Sequence, residues 1–418
     1  MMQVVTYQFP VPGRFPLVAK IRYTLPSRFS SRFLAVAISC MALVLAACED
    51  PSNVGIGLVG EDQGGQPDVR VLDLAEFQNA PLERPAGSLP RVLAGRADDP
   101  LIGTIESEGY FDLTSTASSG FRENEVQSAT LHLRPTYIYG DTTARTTFAL
   151  RQVNELWPAS GLPPDTVLST GDVIREFEFI PTDTLVLVSM PESWVAENDD
   201  LMRSGSFVND FHGFRLEQVS GGAVVGFAGE THLRAFTEAD SAAFPVVRSY
   251  SAVRRTTSSN LPPDRLLYQA GSGPLMSMQF DLDSEALLNA AINKVALTFQ
   301  TDTLTLSQKP AHFRRPVITS LDLYGILDDD RLALIDRAEL DSEGRFIFDG
   351  VSLAGELQRI LLGTRSFDHF ELRLPVGQGS FGETGLAIVQ GSIDVQLFYD
   401  TNSVEYAPAG FVTVTPID

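Results

Sequence analysis

The sequence predicts an all-β fold of two tandem antiparallel β-sandwich (jelly-roll-like) domains, each with one short helix. Residues 128–133 alternate apolar and polar side chains, which is the period of a half-buried strand. Comparable stretches recur between glycine and proline turns. The order of these elements is then repeated after roughly 160 residues, a period too long for a solenoid. A chain of 418 residues is long enough for two domains of ordinary size.

The N-terminal region has the pattern of an export signal. Arg28 and Arg32 precede an uncharged apolar run over residues 33–47, which is too short for a finished membrane helix. The run ends in Leu45-Ala46-Ala47-Cys48, which is similar to the lipobox of bacterial lipoproteins. There the signal is cleaved before the cysteine, and its thiol receives a diacylglycerol. We therefore expect residues 1–47 to be a lipoprotein signal peptide and Cys48 to be lipidated; the alternative is an ordinary secretory signal.

Charge and cysteine content restrict the partners and the covalent links. Five of the 31 basic residues and none of the 53 acidic residues precede Cys48, so the remainder has a formal charge of −27. Such a surface repels nucleic acid. Cys40 would leave with the signal and Cys48 would hold lipid, so no disulfide is expected. The sequence therefore indicates a protein attached to the outer membrane by lipid alone, facing the periplasm or the cell exterior.

The first predicted domain follows a flexible, charged tether over residues 48–67, which is rich in glycine and acidic residues. We assign residues 68–237 to this domain. Its strands are predicted near residues 69–77, 128–139, 147–153, 175–180, 184–190, 211–219, 223–227 and 231–236, with a helix at 193–203.

The second predicted domain covers residues 265–418 and repeats the first. Serine, proline and arginine cluster over residues 238–264, which predicts a linker or long loop between the two. Residues 352–362 have one apolar stripe and precede Gly363, as expected for a capped helix. The other repeated pairs are 294–299 with 128–133, 316–327 with 147–153, 366–374 with 208–216, and 392–399 with 231–236.

Several short motifs follow the lipobox in a fixed order. They are Asn53-Val54-Gly55-Ile56-Gly57, Leu93-Ala94-Gly95, Asp99-Pro100-Leu101-Ile102-Gly103, the strand at 128–141, Phe211-His212-Gly213-Phe214 and Tyr268-Gln269-Ala270-Gly271-Ser272-Gly273. Together they resemble an uncharacterised family of Gram-negative surface lipoproteins, filed as a domain of unknown function. The resemblance implies an exported, lipid-anchored, β-rich envelope protein and a looser kinship with carbohydrate-binding sandwiches. It carries over no catalytic residue.

The polar residues offer few catalytic patterns. The sequence has no His-Glu-x-x-His, Gly-x-Ser-x-Gly, P-loop or Cys/His cluster, which argues against an enzyme. On two predicted strands, His132 shares a face with Arg134 and His232 shares a face with Arg234. These pairs are either a polar binding patch or simply the exposed outer face of a sandwich.

Acidic and aromatic residues supply two further hypotheses. The acidic groups Asp98-Asp99, Asp199-Asp200 and Asp328-Asp329-Asp330 could hold a structural calcium ion or form solvated turns; no other cofactor is indicated. Aromatic platforms for a glycan could come from Trp157, Trp194, Tyr137, Tyr139 and Tyr110. For the two tryptophans a core or lid position is the better explanation.

The functional expectation is a non-enzymatic binding or structural module at the cell surface, with an envelope protein or a glycan as partner. One alternative is an accessory subunit of an envelope export or uptake complex, which predicts a large exposed apolar patch. Another is a glycan-active hydrolase, which needs two carboxylates facing one cleft with shifted pKa values.

Overall fold

The computed structural model describes residues 67–72, 74–80, 91–158, 162, 166–258, 260–270, 275–280, 287, 290–327, 331–375 and 391–416. These residues are mostly in antiparallel strands, so the predicted all-β class is confirmed. Residues 65–418 belong to one compact unit. The predicted lipobox, most of the tether and Asp328, Asp329 and Asp330 lie outside the described residues.

The secondary structure consists of short helices inserted between strands. The strands are β1 Asp68–Leu72, β2 Leu74–Ala80, β3 Arg91–Asp99, β4 Gly103–Leu113, β5 Val126–Leu133, β6 Pro135–Asp141, β7 Thr146–Val153, β8 Thr170–Phe179, β9 Val186–Ser189, β10 Phe214–Ser220, β11 Ala223–Ala228, β12 His232–Thr237, β13 Ser241–Thr257, β14 Arg265–Gln269, β15 Leu275–Phe280, β16 Ala290–Gln300, β17 Phe313–Arg314, β18 Ser320–Ile326, β19 Leu332–Glu339, β20 Arg345–Phe348, β21 His369–Arg373, β22 Val395–Tyr399 and β23 Ala409–Pro416. The helices are α1 Ser119–Arg122, α2 Glu192–Arg203, α3 Phe207–Asp210, α4 Thr303–Ser307 and α5 Val351–Leu361. Among the described helices, none combines the length and the apolarity that crossing a membrane requires.

Residues 91–258, here called the first half, contain two sheet regions joined by β13. The first five residues of β13 pair with β12, in the order β13–β12–β5–β9. The rest of β13 pairs with β4, in the order β13–β4–β10–β7–β8. One long strand therefore belongs to both regions.

The second half, residues 260–416, has the same two strand orders. The strands that correspond to β13 come from residues 68–80, which precede the first half in the chain. One sheet has the order β1–β23–β16–β20, and the other has β2–β15–β21–β18–β19. We call β1 and β2 together the N-terminal arm. The arm occupies the position that β13 occupies in the first half, because β1 pairs with the counterpart of β12 and β2 with the counterpart of β4.

Three sequence-based assignments need correction because strand pairing depends on partners remote in the chain. Residues 68–80, assigned to the first domain, pair with strands of the second half. The predicted linker or loop at 238–264 contains β13; two of its three arginines, Arg248 and Arg254, pair with Asp112 and Glu108 on β4. In the repeat, β12 corresponds by strand order to β23, whereas residues 392–399 contain β22.

A proline divides the strand predicted at 128–139. Pro135 has no N–H to donate, and the chain leaves the sheet region of β12 after Leu133. Its continuation, β6, pairs with β11 instead. One alternating stretch therefore contributes to two different regions.

Both predicted helices are present as α2 and α5. Gly363 follows α5 with a φ of +67°, and its N–H donates to the carbonyl oxygen of Ile360 at 2.9 Å. A left-handed residue in this position ends the helix, and glycine adopts that conformation without steric cost. The predicted cap at Gly363 is confirmed.

The two halves have separate cores and a third cluster between them. Phe148 and Phe214 belong to the core of the first half, and Phe299 and Phe348 to that of the second. The third cluster combines residues from both halves, such as Ile105 and Leu397. The halves are therefore in direct apolar contact.

Candidate functional site

The two predicted His/Arg pairs lie side by side on one solvent-facing surface. In β5, Leu131 and Leu133 point into the core, so His132 points outward, and Arg134, which directly follows β5, is exposed. In β12 the same alternation places His232 and Arg234 outward. We call the surface formed by His132, Arg134, His232 and Arg234 the histidine–arginine face.

The two imidazoles of this face are in contact. His132 lies directly opposite His232 in the β5–β12 ladder, and the ring centroids are 4.5 Å apart with an interplanar angle of 26°. Nδ1 of His232 lies 2.8 Å from the carbonyl oxygen of Glu230 and therefore donates to it. In the neutral ring this leaves Nε2 of His232 as an acceptor.

The two guanidinium groups remain accessible. Nε of Arg134 is 3.2 Å from a carboxylate oxygen of Glu230, but both side chains are about half or more exposed. Exposed pairs of this kind contribute only ~0–1 kcal/mol, so Arg134 can exchange partners at low cost. The guanidinium carbon of Arg234 lies 5.2 Å from the ring centroid of Phe236, and its Nη2 donates to Ser241 Oγ at 3.4 Å.

Uncharged residues border the face on both sides. On β9, Leu187 lies opposite His132 and is 57% exposed. On β13, Pro245 lies opposite His232 and Ala243 opposite Arg234. The face is therefore a flat, cationic strip with an apolar margin, in a chain whose formal charge after Cys48 is −27.

Protonation of the face is opposed by its own charges. Burial lowers the pKa of His132, and the positive charges of His232, Arg234 and Arg134 lower it further. Its neutral form therefore predominates near pH 7. A negative group placed on the face would remove part of this repulsion and favour the charged imidazole.

The proposed aromatic platforms are not available to a glycan. The five side chains are at most 7% exposed: Tyr110, Tyr137, Tyr139, Trp157 and Trp194. Trp157 Nε1 donates to the carbonyl oxygen of His212, and Arg248 stacks 5.1 Å from its ring centroid. The core or lid interpretation of the two tryptophans is confirmed.

The described acidic groups are engaged by arginines. Arg203 bonds both Asp199 and Asp200, at 2.6 and 2.8 Å, and Arg96 lies 3.3 Å from Asp98. Within the described residues no group of three or more histidine, cysteine or acidic side chains is arranged to hold a metal ion.

A buried ion pair between the two halves was not predicted. Asp99 accepts from Nε and Nη2 of Arg315 at 2.7 and 2.6 Å, and both side chains have no exposed surface. Tyr139 Oη donates to the same carboxylate at 2.6 Å. Burial acts to raise the pKa of Asp99, but the bonds from Arg315 and Tyr139 outweigh it, so the pKa lies below its ordinary value.

A second unpredicted cluster lies on β21. His369 is held between Asp368, 2.8 Å from Nδ1, and Glu371, 2.9 Å from Nε2, and Arg373 donates to the other oxygen of Glu371. Burial lowers the pKa of His369, but these two carboxylates raise it above its ordinary value overall. The alternation of residues 369, 371 and 373 placed them on one side. Nothing in the sequence showed that this side would be mostly buried.

No family model, curated protein or solved structure matches this chain. The resemblance to surface lipoproteins therefore stays a prediction from the motifs. The histidine–arginine face is the one predicted polar patch that the structure assembles on an open surface.

Proposed function

We propose that this is an exported, lipid-anchored outer-membrane protein that acts as a non-enzymatic binding module through its histidine–arginine face. The observation that carries this proposal is the juxtaposition of two histidines and two arginines on an open sheet face. Binding sites on sheet faces need side chains that are oriented by a rigid ladder, and β5 lies between two neighbouring strands.

Attachment to the membrane is supported by the sequence alone. Cys48 follows Leu45-Ala46-Ala47, and the tether leads from it into β1. Each buried methylene of an attached acyl chain contributes about 0.8 kcal/mol, so two or three chains give stable anchoring. The strand orders support a duplicated origin for the two halves, each a sandwich-like unit.

The non-enzymatic assignment is supported by how the buried carboxylates are used. Asp99 and Asp112 accept hydrogen bonds from Arg315 and Arg248, respectively. Asp394 is the best remaining acid for the hydrolase alternative, because burial raises its pKa and its Oδ1 has no hydrogen-bond partner among the described residues. Glycoside cleavage needs two carboxyl groups roughly 5–9.5 Å apart, so the hydrolase alternative requires a second free carboxylate at that distance from Asp394.

One observation favours the accessory-subunit alternative. The outer face of β1 and β23 exposes Val69, Val71 and Phe411, at 65%, 67% and 45%. These residues are cross-strand neighbours, since Val71 lies opposite Phe411. A patch of this kind is suited to contact with another protein.

The proposal is tested on the lipidated protein in its own membranes. We expect C48S to abolish acyl labelling and to release the exported chain from the membrane fraction. C40S, with its substitution in the predicted signal, is the matched control and should remain lipidated. Membrane retention of C48S would contradict the anchor.

The same preparation tests the face. Ligands retained on the detergent-solubilised protein should be lost in R134Q/R234Q and kept in R145Q, whose arginine is an exposed partner of Glu178 at 2.5 Å. If both variants retain the same ligands, the histidine–arginine face is not the binding surface.

A further inference from the structure

We propose that the histidine–arginine face binds an acidic polysaccharide through its carboxylate groups, and that binding tightens as the pH falls through the range in which histidine titrates. This inference rests on the proposed function, because it names the ligand of the same face. It adds the chemical class of the ligand and a dependence on protons.

The charge of the face fits an anion. Arg134, directly after β5, and Arg234, on the adjacent β12, are exposed, and a guanidinium group can bind a carboxylate through two parallel hydrogen bonds. The acidic side chain beside them is Glu230, which is 72% exposed and pairs with Arg134 among the described residues. An incoming carboxylate can replace it without breaking a buried interaction.

The apolar area beside the charges fits a sugar chain. The two imidazoles stack on each other, and Leu187, Pro245 and Phe236 border them with apolar area. Such a surface can cover the C–H face of a pyranose ring while the arginines bind its substituents. A small inorganic anion would use the charges but not the apolar margin.

The proton dependence follows from the groups that surround the imidazoles. The flanking strand residues are uncharged: Leu187 and Ser189 on β9, and Ala243 and Pro245 on β13. The charged neighbours are therefore Arg134, Arg234 and Glu230, with the second histidine. Two protonated rings 4.5 Å apart repel each other, and a bound carboxylate offsets that repulsion. By linkage, ligand binding promotes proton uptake and proton uptake promotes ligand binding.

The test is calorimetric titration of the full lipidated chain in detergent with oligogalacturonate, using neutral dextran oligomers of equal length as the control ligand. We expect affinity for oligogalacturonate to be about tenfold higher at pH 5.5 than at pH 7.5, because protonation of an imidazole adds a positive charge beside the bound carboxylate. Dextran should not bind. Binding of dextran with equal affinity would overturn the proposal.

Variants separate the contributions of the two residue types. R134Q/R234Q should weaken uronate binding by at least about tenfold at both pH values, because it removes the charge-assisted hydrogen bonds to the carboxylates. H132Q/H232Q should retain binding at pH 7.5 but lose the increase at pH 5.5. R145Q should behave as the unchanged protein. Since all four side chains of the face are at the surface, circular dichroism should show each variant folded.

The outcomes distinguish this inference from the proposed function. If oligogalacturonate does not bind but R134Q/R234Q still loses its native ligand, the ligand class is wrong and the binding face stands. Binding of anionic phospholipid vesicles without binding of oligogalacturonate would overturn the polysaccharide in favour of a membrane surface. If uronate binding is equal in R134Q/R234Q and R145Q, both the ligand assignment and the face fail.

Discussion

A carboxylate and a guanidinium group without any solvent exposure lie at the contact between the two halves. Asp99 comes from β3, and Arg315 directly follows β17, which pairs with β6 of the first half. Arg315 also donates through Nη1 to the carbonyl oxygen of Leu306 at 2.5 Å. Burying two charges is costly, and the pair is tolerable because the three guanidinium nitrogens of Arg315 and both carboxylate oxygens of Asp99 are hydrogen-bonded.

Removal of one partner of this ion pair should therefore strongly lower the free energy of unfolding. We expect D99N to lower the free energy of unfolding by about 3–5 kcal/mol, because Arg315 would remain buried without a counter-charge. Urea denaturation at pH 7 measures this, with E178Q as the control for an exposed pair and an expected loss under ~1 kcal/mol. Equal stability of the two variants would show that Asp99 makes no net contribution.

Residue-scale prediction succeeded where local alternation decides direction. The outward positions of His132 and His232 follow from the period of a strand. The sequence predicted that each histidine shares a face with the arginine two residues later. That the two pairs are neighbours depends on β5 pairing with β12, which is not a local property. Asp99 was expected in a calcium site or a solvated turn, and its partner lies 216 residues away.

At the scale of elements, the N-terminal arm is the least expected feature. It places Leu72 and Phe77 in the core of the second half, where Phe77 lies 5.1 Å from Phe299 and 5.9 Å from Phe398 between ring centroids. The outward side chains of β1, such as Val71, remain exposed. The arm is therefore a structural part of a core whose other strands begin almost two hundred residues later.

The two faces of the arm should respond differently to truncation. We expect F77A to cost about 3–5 kcal/mol through a cavity among aromatic rings, and V71A to change stability by less than about 0.5 kcal/mol. Thermal unfolding of both variants measures the difference. Similar midpoints for F77A and V71A would mean that the arm does not contribute to the core.

Several other elements were predictable from pattern alone, whereas β4, β14, β15 and β23 were not among the predicted strands. Apolar alternation identified β5, β7 and β12, and the stripe before Gly363 identified α5. The strand β13 was missed because it contains serine, proline and arginine, a composition that is also typical of a linker. Its cross-strand partners on β4 make that segment a strand, and composition contains no information about them.

At the scale of the whole molecule, the halves share the apolar cluster that includes Ile105 and Leu397 as well as the buried ion pair. A shared core couples the stability of its two sides, so neither half should unfold alone. The sequence predicted two tandem sandwich domains; in the structure the two halves repeat a strand order, and residues 65–418 belong to one compact unit. The extent of contact between them could not be derived from two separate patterns.

The distribution of tryptophan gives a direct test of this coupling. Both tryptophans of the chain, Trp157 and Trp194, belong to the first half, whereas circular dichroism reports on all strands. We expect urea transitions followed by the two signals to coincide. F77A, a change in the core of the second half, should lower the midpoint measured by tryptophan fluorescence. Separate transitions, with the fluorescence midpoint unaffected by F77A, would contradict coupling.

The position of the N-terminal arm in the sequence also determines when its strands can pair during synthesis. Val69 pairs with Thr413, so β1 must wait for β23, the last of the described strands. At ~5–20 residues per second, synthesis of the intervening chain takes roughly 20–70 s. Throughout that interval β1 lacks its partner β23 and has an open edge that other chains can pair with. The unfinished second half is therefore exposed to wrong strand pairing until β23 has been made.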